Sequence, residues 1–269
     1  MRNWKENKEV HDVYWGSVFN RVKKEIANYD NFNDLWKVIN MAELKSCAIG
    51  RSPYRVPYVA GGKKLYATLE ACLKMKIDNL CSIVERNTTP TTELIVDLGS
   101  GWGRNSLYLA NKLQGKHKFL ACELSTSGQD CTRFLKNHYD LPVDVLSFNY
   151  YDNSTLLSYL DEGKFKEVTL FSNHSIEQIP TIGEEFFTTL LSADTPKMKF
   201  AHLEPVSWQV ASRPKDTDPR YNDDLLSVLK GLEEQNMIDI TNIEADYFGL
   251  KHTNVAALIE WKKMRPHIK

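Results

Sequence analysis

The stretch from residue 95 to 110, IVDLGSGWGRNSLYLA, constrains this chain more than any other. Three apolar residues run into Asp97, glycine then takes alternate positions at 99, 101 and 103, and a helix-forming sequence resumes at Arg104. A buried strand that turns into a helix through backbone lacking Cβ atoms presents unpaired N–H groups and a partial positive charge at the strand's end. This is the arrangement of a nucleotide-type site at the carboxyl edge of a parallel sheet. Two common variants are disfavoured. The dinucleotide fingerprint G-x-G-x-x-G calls for glycine at 104, where this chain has Arg104, so NAD is not the expected cofactor; no Gly-Lys-Ser/Thr follows to make a P-loop.

The surrounding pattern agrees. Short apolar runs, ELIVDL, KFLACEL, VDVLSF, EVTLFSN and MKFAHLE, alternate with amphipathic segments expected to be helical from near Arg104, Thr126, Ser154 and Gly183. Near-continuous apolar strands separated by helices indicate a parallel sheet covered on both faces. A further helix is expected over Asn222 to Gln235. After it, MIDITNIEADYFGL and NVAALIEWKKM lie close enough to pair as antiparallel neighbours. Upstream, Trp15, Phe19, Val22 and Ile26, then Leu35, Trp36, Ile39 and Leu44, recur at helical spacing. GRSPYRVPYVAGG reads as a loop that hinges a lid or simply connects, and a long helix is expected from Lys64 to Arg86. The fold class is therefore α/β, with an N-terminal helical extension over residues 1–62 and the main domain over 63–269.

The strand after the glycine loop ends in Glu123, 20 residues past Gly103, where an acid can accept hydrogen bonds from both ribose hydroxyls of an adenosine compound. The third strand ends in SFNYYD. Asn149 there offers an amide and a carbonyl to an adenine edge, and Tyr150 either packs on the ring or fills the core. VDLGSGWGRNS followed by ACELS resembles motifs one and two of class I S-adenosylmethionine-dependent methyltransferases, over roughly residues 90 to 263. The resemblance implies a seven-stranded, mostly parallel Rossmann-like sheet with a C-terminal antiparallel hairpin, and S-adenosyl-L-methionine as cofactor. It implies a cofactor-contacting set of Asp97, Gly99, Ser100, Gly101, Gly103, Glu123, Leu124, Asn149, Tyr150 and Asn173. In that set the glycines wrap the methionine and ribose parts, Glu123 holds the ribose and Asp97 orients the loop. Asn149 stands where the family often has Asp.

Methyl transfer is an in-line displacement, so the protein must chiefly place a nucleophile and exclude water. His174, in LFSNHSIEQIP after the fourth strand, is the expected general base because an imidazole titrates near neutral pH; the alternative is a polar residue capping a turn. SNHSIEQ also resembles, weakly, the corresponding segment of small-molecule and sugar methyltransferases. Glu177 orients the histidine or caps the following turn, Glu204 is expected to help seat the acceptor, and His202 is expected to be structural. No metal site is expected, since the ligand spacing is not recognisable.

Lys and Arg number 34 against 35 Asp and Glu, and no block of like charge stands out, which disfavours a nucleic-acid backbone or an acidic membrane surface as partner. The Asn/Asp-Pro-Pro-Tyr/Phe tetrapeptide of relatives that methylate nucleic-acid bases and protein amides is absent after strand four. A small polar acceptor is expected, most of all a hydroxyl of a sugar or sugar nucleotide. Trp15, Tyr54, Arg55 and Tyr58 either form a lid over it, Arg55 meeting a phosphate or carboxylate, or belong to the core. A small-molecule N-methyltransferase and a non-catalytic binding subunit remain alternatives. The five cysteines, Cys47, Cys72, Cys81, Cys122 and Cys131, never form CxxC and read as reduced thiols. The first residues show no signal-peptide pattern, so a cytoplasmic protein is expected; homodimerisation is left open.

Overall fold

The computed structural model describes residues 4–46, 55–211, 221–250 and 255–264. The helices are α1 (Trp4–Glu25), α2 (Phe32–Ser46), α3 (Leu69–Asn87), α4 (Arg104–Lys112), α5 (Thr126–His138), α6 (Ser154–Gly163), α7 (Gly183–Leu191), α8 (Ser207–Val210) and α9 (Leu225–Glu234). The strands are β1 (Val56–Ala60), β2 (Lys63–Ala67), β3 (Leu94–Leu98), β4 (Lys118–Glu123), β5 (Val143–Ser147), β6 (Glu167–Asn173), β7 (Lys197–Glu204), β8 (Ile238–Gly249) and β9 (Ala256–Lys263). Among the described residues they form one sheet in the order β2-β1-β8-β9-β7-β6-β3-β4-β5.

Period-two alternation sends Leu94, Val96 and Leu98 of β3 to one face and Ile95 to the other. On the Ile95 face, Val22, Leu35, Leu73, Leu107 and Leu135 of α1 to α5 pack against Phe119, Ala121 and Phe171. On the opposite face, Leu156, Leu160, Phe187, Leu190 and Leu229 of α6, α7 and α9 pack against Leu120, Leu170, Phe200 and Trp261. Each such side chain contributes roughly 1.5–3 kcal/mol by leaving water. The five βα steps run from β3 outward to β5, then return to β6 beside β3. The crevice between β3 and β6 is the topological switch point, where ligands of open α/β sheets bind.

All five expected parallel strands, the four expected helix starts and the terminal antiparallel pair are present. The seven-stranded, mostly parallel sheet is corrected: nine strands make four parallel and four antiparallel pairings. The two additional strands come from the segment read as a loop and the start of a helix. Gly61 and Gly62, at φ 53° and 72°, make the left-handed two-residue turn of a hairpin between β1 and β2. β1 then pairs with β8 through Val59↔Gly249 and Ala60↔Phe248. The helix expected from Lys64 starts at Leu69, behind Thr68, whose hydroxyl accepts from Ala71 N at 3.1 Å. The boundary drawn between residues 62 and 63 falls at the turn of this hairpin. Cys72, Cys81, Cys122 and Cys131 are buried and unbonded; Cys47 and Tyr54 lie outside the described residues. Among the described residues no helix is long and apolar enough to cross a membrane.

One buried ionic cluster ties α3 to the sheet. Glu260 on β9 accepts from Arg86 Nε at 2.8 Å and Nη2 at 2.7 Å, from Asn242 Nδ2 at 2.9 Å and from Asn87 Nδ2. Burial works to raise the Glu260 pKa, but these donors outweigh it and hold the carboxyl below its ordinary value. Its contribution is thus present above the ordinary carboxylate range and is lost as pH falls through the lowered value. Replacing Glu260 with Ala takes the shared acceptor from three donor side chains and is expected to cost about 2–3 kcal/mol in urea unfolding; a loss below about 0.5 kcal/mol would show that the cluster holds nothing.

Candidate functional site

The glycine loop leaves β3 with Gly99 at φ 72° and Gly101 at φ 59°, both left-handed. Gly99 N and Ser100 N donate to Cys122 O at 2.9 Å each, which lashes the loop to β4. Two carboxylates complete it. Asp97 Oδ2 accepts from Ser106 N at 3.2 Å in the first turn of α4, and Glu123 Oε2 accepts from Gly101 N at 2.8 Å. The other Glu123 oxygen accepts from Ser125 N at 2.9 Å and Ser125 Oγ at 2.6 Å. Burial raises the pKa of both acids, that of Asp97 to about 7, against the pull of these donors.

Protein side chains press on the bare backbone as well. A Cβ on Gly99 would lie 2.4 Å from Ser175 Cβ, and one on Gly101 would lie 2.7 Å from Trp15 Cζ2. Trp15 thus reaches from α1 to close over the loop.

Beneath it opens a cavity that is continuous with solvent. Of the expected cofactor set, Gly99, Gly101, Glu123, Leu124, Asn149 and Tyr150 line it, and His174 lines it too. Asp97, Ser100, Gly103 and Asn173 lie behind this wall. Asp97 Oδ1, Ser100 Oγ and both polar atoms of the Asn173 side chain are enclosed without a partner. Leu98 pairs with Ser172, so Asn173 stands level with Gly99 across the switch point. The Asn149 carbonyl accepts from Tyr151 N at 3.0 Å. Tyr150 is both wall and core: its hydroxyl donates to Leu98 O at 3.0 Å and its ring packs on Phe148 and Phe186.

A second and larger chamber, also open to solvent, adjoins the first. His11, Trp15, His174 and Gln178 belong to the walls of both, and the rest of the second wall includes Tyr14, Glu43, Lys76, Arg104, Glu177 and Phe248. Arg104, in the position where a dinucleotide fingerprint has glycine, faces Glu43 at 3.6 Å and so serves this chamber.

His174 stands at the junction, in a left-handed conformation at φ 57° that costs a non-glycine residue of order 1–3 kcal/mol. Its N–H donates to Leu203 O at 3.1 Å. The next residue is held by Glu204, whose carboxylate accepts from Ser175 N at 3.0 and 3.2 Å and from Glu177 N at 3.2 Å. This corrects the expectation that Glu204 seats an acceptor. The residue is fully enclosed, lines neither chamber, and spends its oxygens on loop amides; burial pushes its pKa up to about 7. Glu204 positions the histidine loop instead. His174 Nδ1 lies 3.6 Å from Glu177 Oε1. Burial pulls the His174 pKa below its ordinary value, with Glu177 acting against it.

His202 is structural: its ring nitrogens meet Ser172 Oγ at 2.9 Å and accept from Trp261 Nε1 at 3.0 Å, and burial lowers its pKa to about 3. Arg55 stacks its guanidinium on the Tyr66 ring, 4.6 Å from the centroid, and Tyr58 packs near Phe248. Neither lines a chamber. Among the described residues no group of three His, Cys, Asp or Glu side chains could hold a metal. Asn7, His11 and Gln178 were not anticipated as site residues. Asn7, His11 and Trp15 lie four residues apart, on one face of α1, which was the available signal.

No protein-family model matches the chain, and no curated protein matches it in sequence. Solved structures do match. Cofactor-bound Rv0187 from MTB aligns with a TM-score of 0.50 at 13% identity, over 71% of this chain and 80% of that one. Magnesium protoporphyrin IX methyltransferase from Synechocystis PCC 6803 with bound SAH aligns at 0.48 and 12%, over 72% and 84%. A SAM-dependent methyltransferase from Aquifex aeolicus aligns at 0.45 and 14%, over 71% and 98%. At such identities the likeness is one of fold alone, the α/β fold that this chain shares with Rv0187.

Replacing Gly99 with Ala tests the loop. The φ alone costs about 1–2 kcal/mol, and displacement of Ser175 adds to it. Gly115 has the same φ of 72° with nothing within 4 Å of its would-be Cβ, so Gly115→Ala isolates the backbone term. Denaturant unfolding is expected to show Gly99→Ala as the costlier change by about 1 kcal/mol or more; equal losses would mean that Ser175 yields freely.

Proposed function

We propose that this protein is an S-adenosylmethionine-dependent methyltransferase that methylates a small polar acceptor in the second chamber, at a hydroxyl of a sugar or sugar nucleotide. The observation that carries this reading is the shared wall, where His174 borders the cavity beside the glycine loop and the larger chamber next to it. A transferase for two ligands needs such a junction, and a base within it.

The residues present fit the cofactor. Unpartnered buried polar atoms are costly, and the four at Asp97, Ser100 and Asn173 gather at the ends of β3 and β6 behind Gly99. Glu123, whose oxygens also hold Gly101 N and Ser125, is part of the cavity wall, and Leu124, Asn149 and Tyr150 extend that wall past it. The motif resemblance supports the same assignment, and Rv0187, which shares the fold, also binds a cofactor. When bound, S-adenosylmethionine supplies a sulfonium methyl group open to in-line attack.

The chain's own residues then have definite tasks. Glu177 sits on the Nδ1 side of His174, which leaves Nε2 to accept a proton. The lowered pKa keeps the imidazole neutral at pH 7, the form a base requires. His174 Nε2 would take the proton of a hydroxyl held in the second chamber, whose oxygen would accept the methyl group as its bond to sulfur breaks and S-adenosylhomocysteine departs. Glu177 Oε2 and Trp15 Nε1 are both enclosed without partners, one an acceptor and one a donor. Both residues line the second chamber, and a hydroxyl-bearing ligand can satisfy either kind of atom.

The test is transfer of labelled methyl from S-adenosylmethionine to a panel of sugars and sugar nucleotides. His174→Ala is expected to lower turnover about a hundredfold or more. The wild-type rate is expected to be flat at neutral pH and to fall as pH drops through a value below the ordinary histidine pKa. Unchanged turnover in the variant would remove His174 from the mechanism, and failure of every panel member beside an active amine acceptor would replace the hydroxyl reading.

A further inference from the structure

The inward face of α1 changes character along its length. Val18 and Val22 are buried in the core, as is Ile26 just past the helix end, whereas the same face nearer the N-terminus carries Asn7, Lys8, His11 and Asp12, all half-buried. A helix that packs on a core continues its apolar stripe; one that overhangs a polar cavity does not. Asn7, His11 and Trp15 in fact line the cavity beside the glycine loop.

One attachment of these first turns is to the start of α5. Asp12 Oδ1 accepts from Ser127 N at 2.9 Å, at the N-terminus of α5, while Lys8 Nζ donates to Asp12 Oδ2 at 3.0 Å and Thr126 Oγ1 at 3.1 Å. Gly16, one turn on, faces the same residue: a Cβ there would make ordinary contact with Ser127 Oγ at 3.4 Å. The same end of α5 is held by Glu123 through Ser125. Roof and cavity wall are therefore fastened to one helix terminus.

We propose that the N-terminal half of α1 is a cofactor-binding element, with Asn7, His11 and Trp15 as its contact face and Asp12 as the positioning residue that clasps it over the bound cofactor. The proposal rests on the methyltransferase reading for the identity of that cofactor. Beyond it, the proposal assigns binding residues within a segment that the motif resemblance does not cover. The Asp12–Ser127 clasp holds this face against the bound cofactor, so its loss speeds dissociation more than it lowers the stability of the fold.

The experiment uses the full chain and S-adenosylhomocysteine. Its dissociation is followed by stopped-flow tryptophan fluorescence, its affinity by calorimetry, and the unliganded thermal midpoint is recorded for each variant. Asp12→Ala is expected to raise the dissociation rate about tenfold, equivalent to about 1.4 kcal/mol, with a midpoint within about 2 °C of wild type. Asp12→Asn keeps an oxygen for Ser127 N and is expected to recover most of the loss. His11→Ala is expected to weaken affinity with an equally small change in midpoint. Wild-type dissociation from Asp12→Ala would overturn the clasp, and unchanged affinity in His11→Ala would overturn the contact face. A fall in midpoint proportional to the loss of binding would also overturn the proposal, because Asp12 would then be a stability residue alone. Failure of the wild type to bind S-adenosylhomocysteine is a separate result: it removes the cofactor reading itself.

Discussion

The layout of the site depends on the carboxylate of Glu123. One of its oxygens holds Gly101 N in the loop after β3, and the other holds Ser125 at the start of α5. A single enclosed side chain thereby couples the two element ends that bound the cavity. Charge-assisted bonds of this kind are stronger than neutral ones, and enclosure removes the competing water. From α5 the coupling passes to α1, and from the loop it passes through Gly99 to Ser175 and the histidine turn.

Glu204 plays the matching part on the other side of the crevice. It spends its oxygens on the amides of Ser175 and Glu177, and so maintains His174 in a conformation the backbone resists. Strain of this sort persists only where the surroundings over-determine it, and it is concentrated at working sites. The two glutamates thus divide the labour: one fixes the cavity wall, the other fixes the residue that faces both chambers.

Much of the fold is legible in the sequence because the physical period decides it. Runs such as IVDL and FLACE have no polar face to expose, so burial on both sides of a parallel sheet is their remaining solution, and their boundaries are sharp. The hairpin of β1 and β2 is less legible. Leu65 and Leu69 fall at a helical interval, which masks the turn signal of Gly61-Gly62, and the edge strand after it is exposed at four of its five residues, so no burial alternation marks it. The site divides in the same way. Gly99, Gly101 and Glu123 carry their signal in local spacing, whereas the part played by Glu204 depends on which amides stand opposite β7, a tertiary fact. His11 and Asn7 escape notice because polar residues near a helix start ordinarily face water; only the position of α1 over the cavity gives them work.

The measurement that tests the central claim most directly is thermal unfolding of the purified protein with S-adenosylhomocysteine, S-adenosylmethionine and NAD in parallel. A ligand at a hundred times its dissociation constant adds about 2.7 kcal/mol to the native state, which for a chain of this size raises the midpoint by roughly 5–10 °C. A rise with the two adenosyl compounds and none with NAD is the predicted result. No rise with any of the three, in protein shown to be free of carried-over ligand, would contradict it and leave the glycine loop as a packing device between β3 and α4.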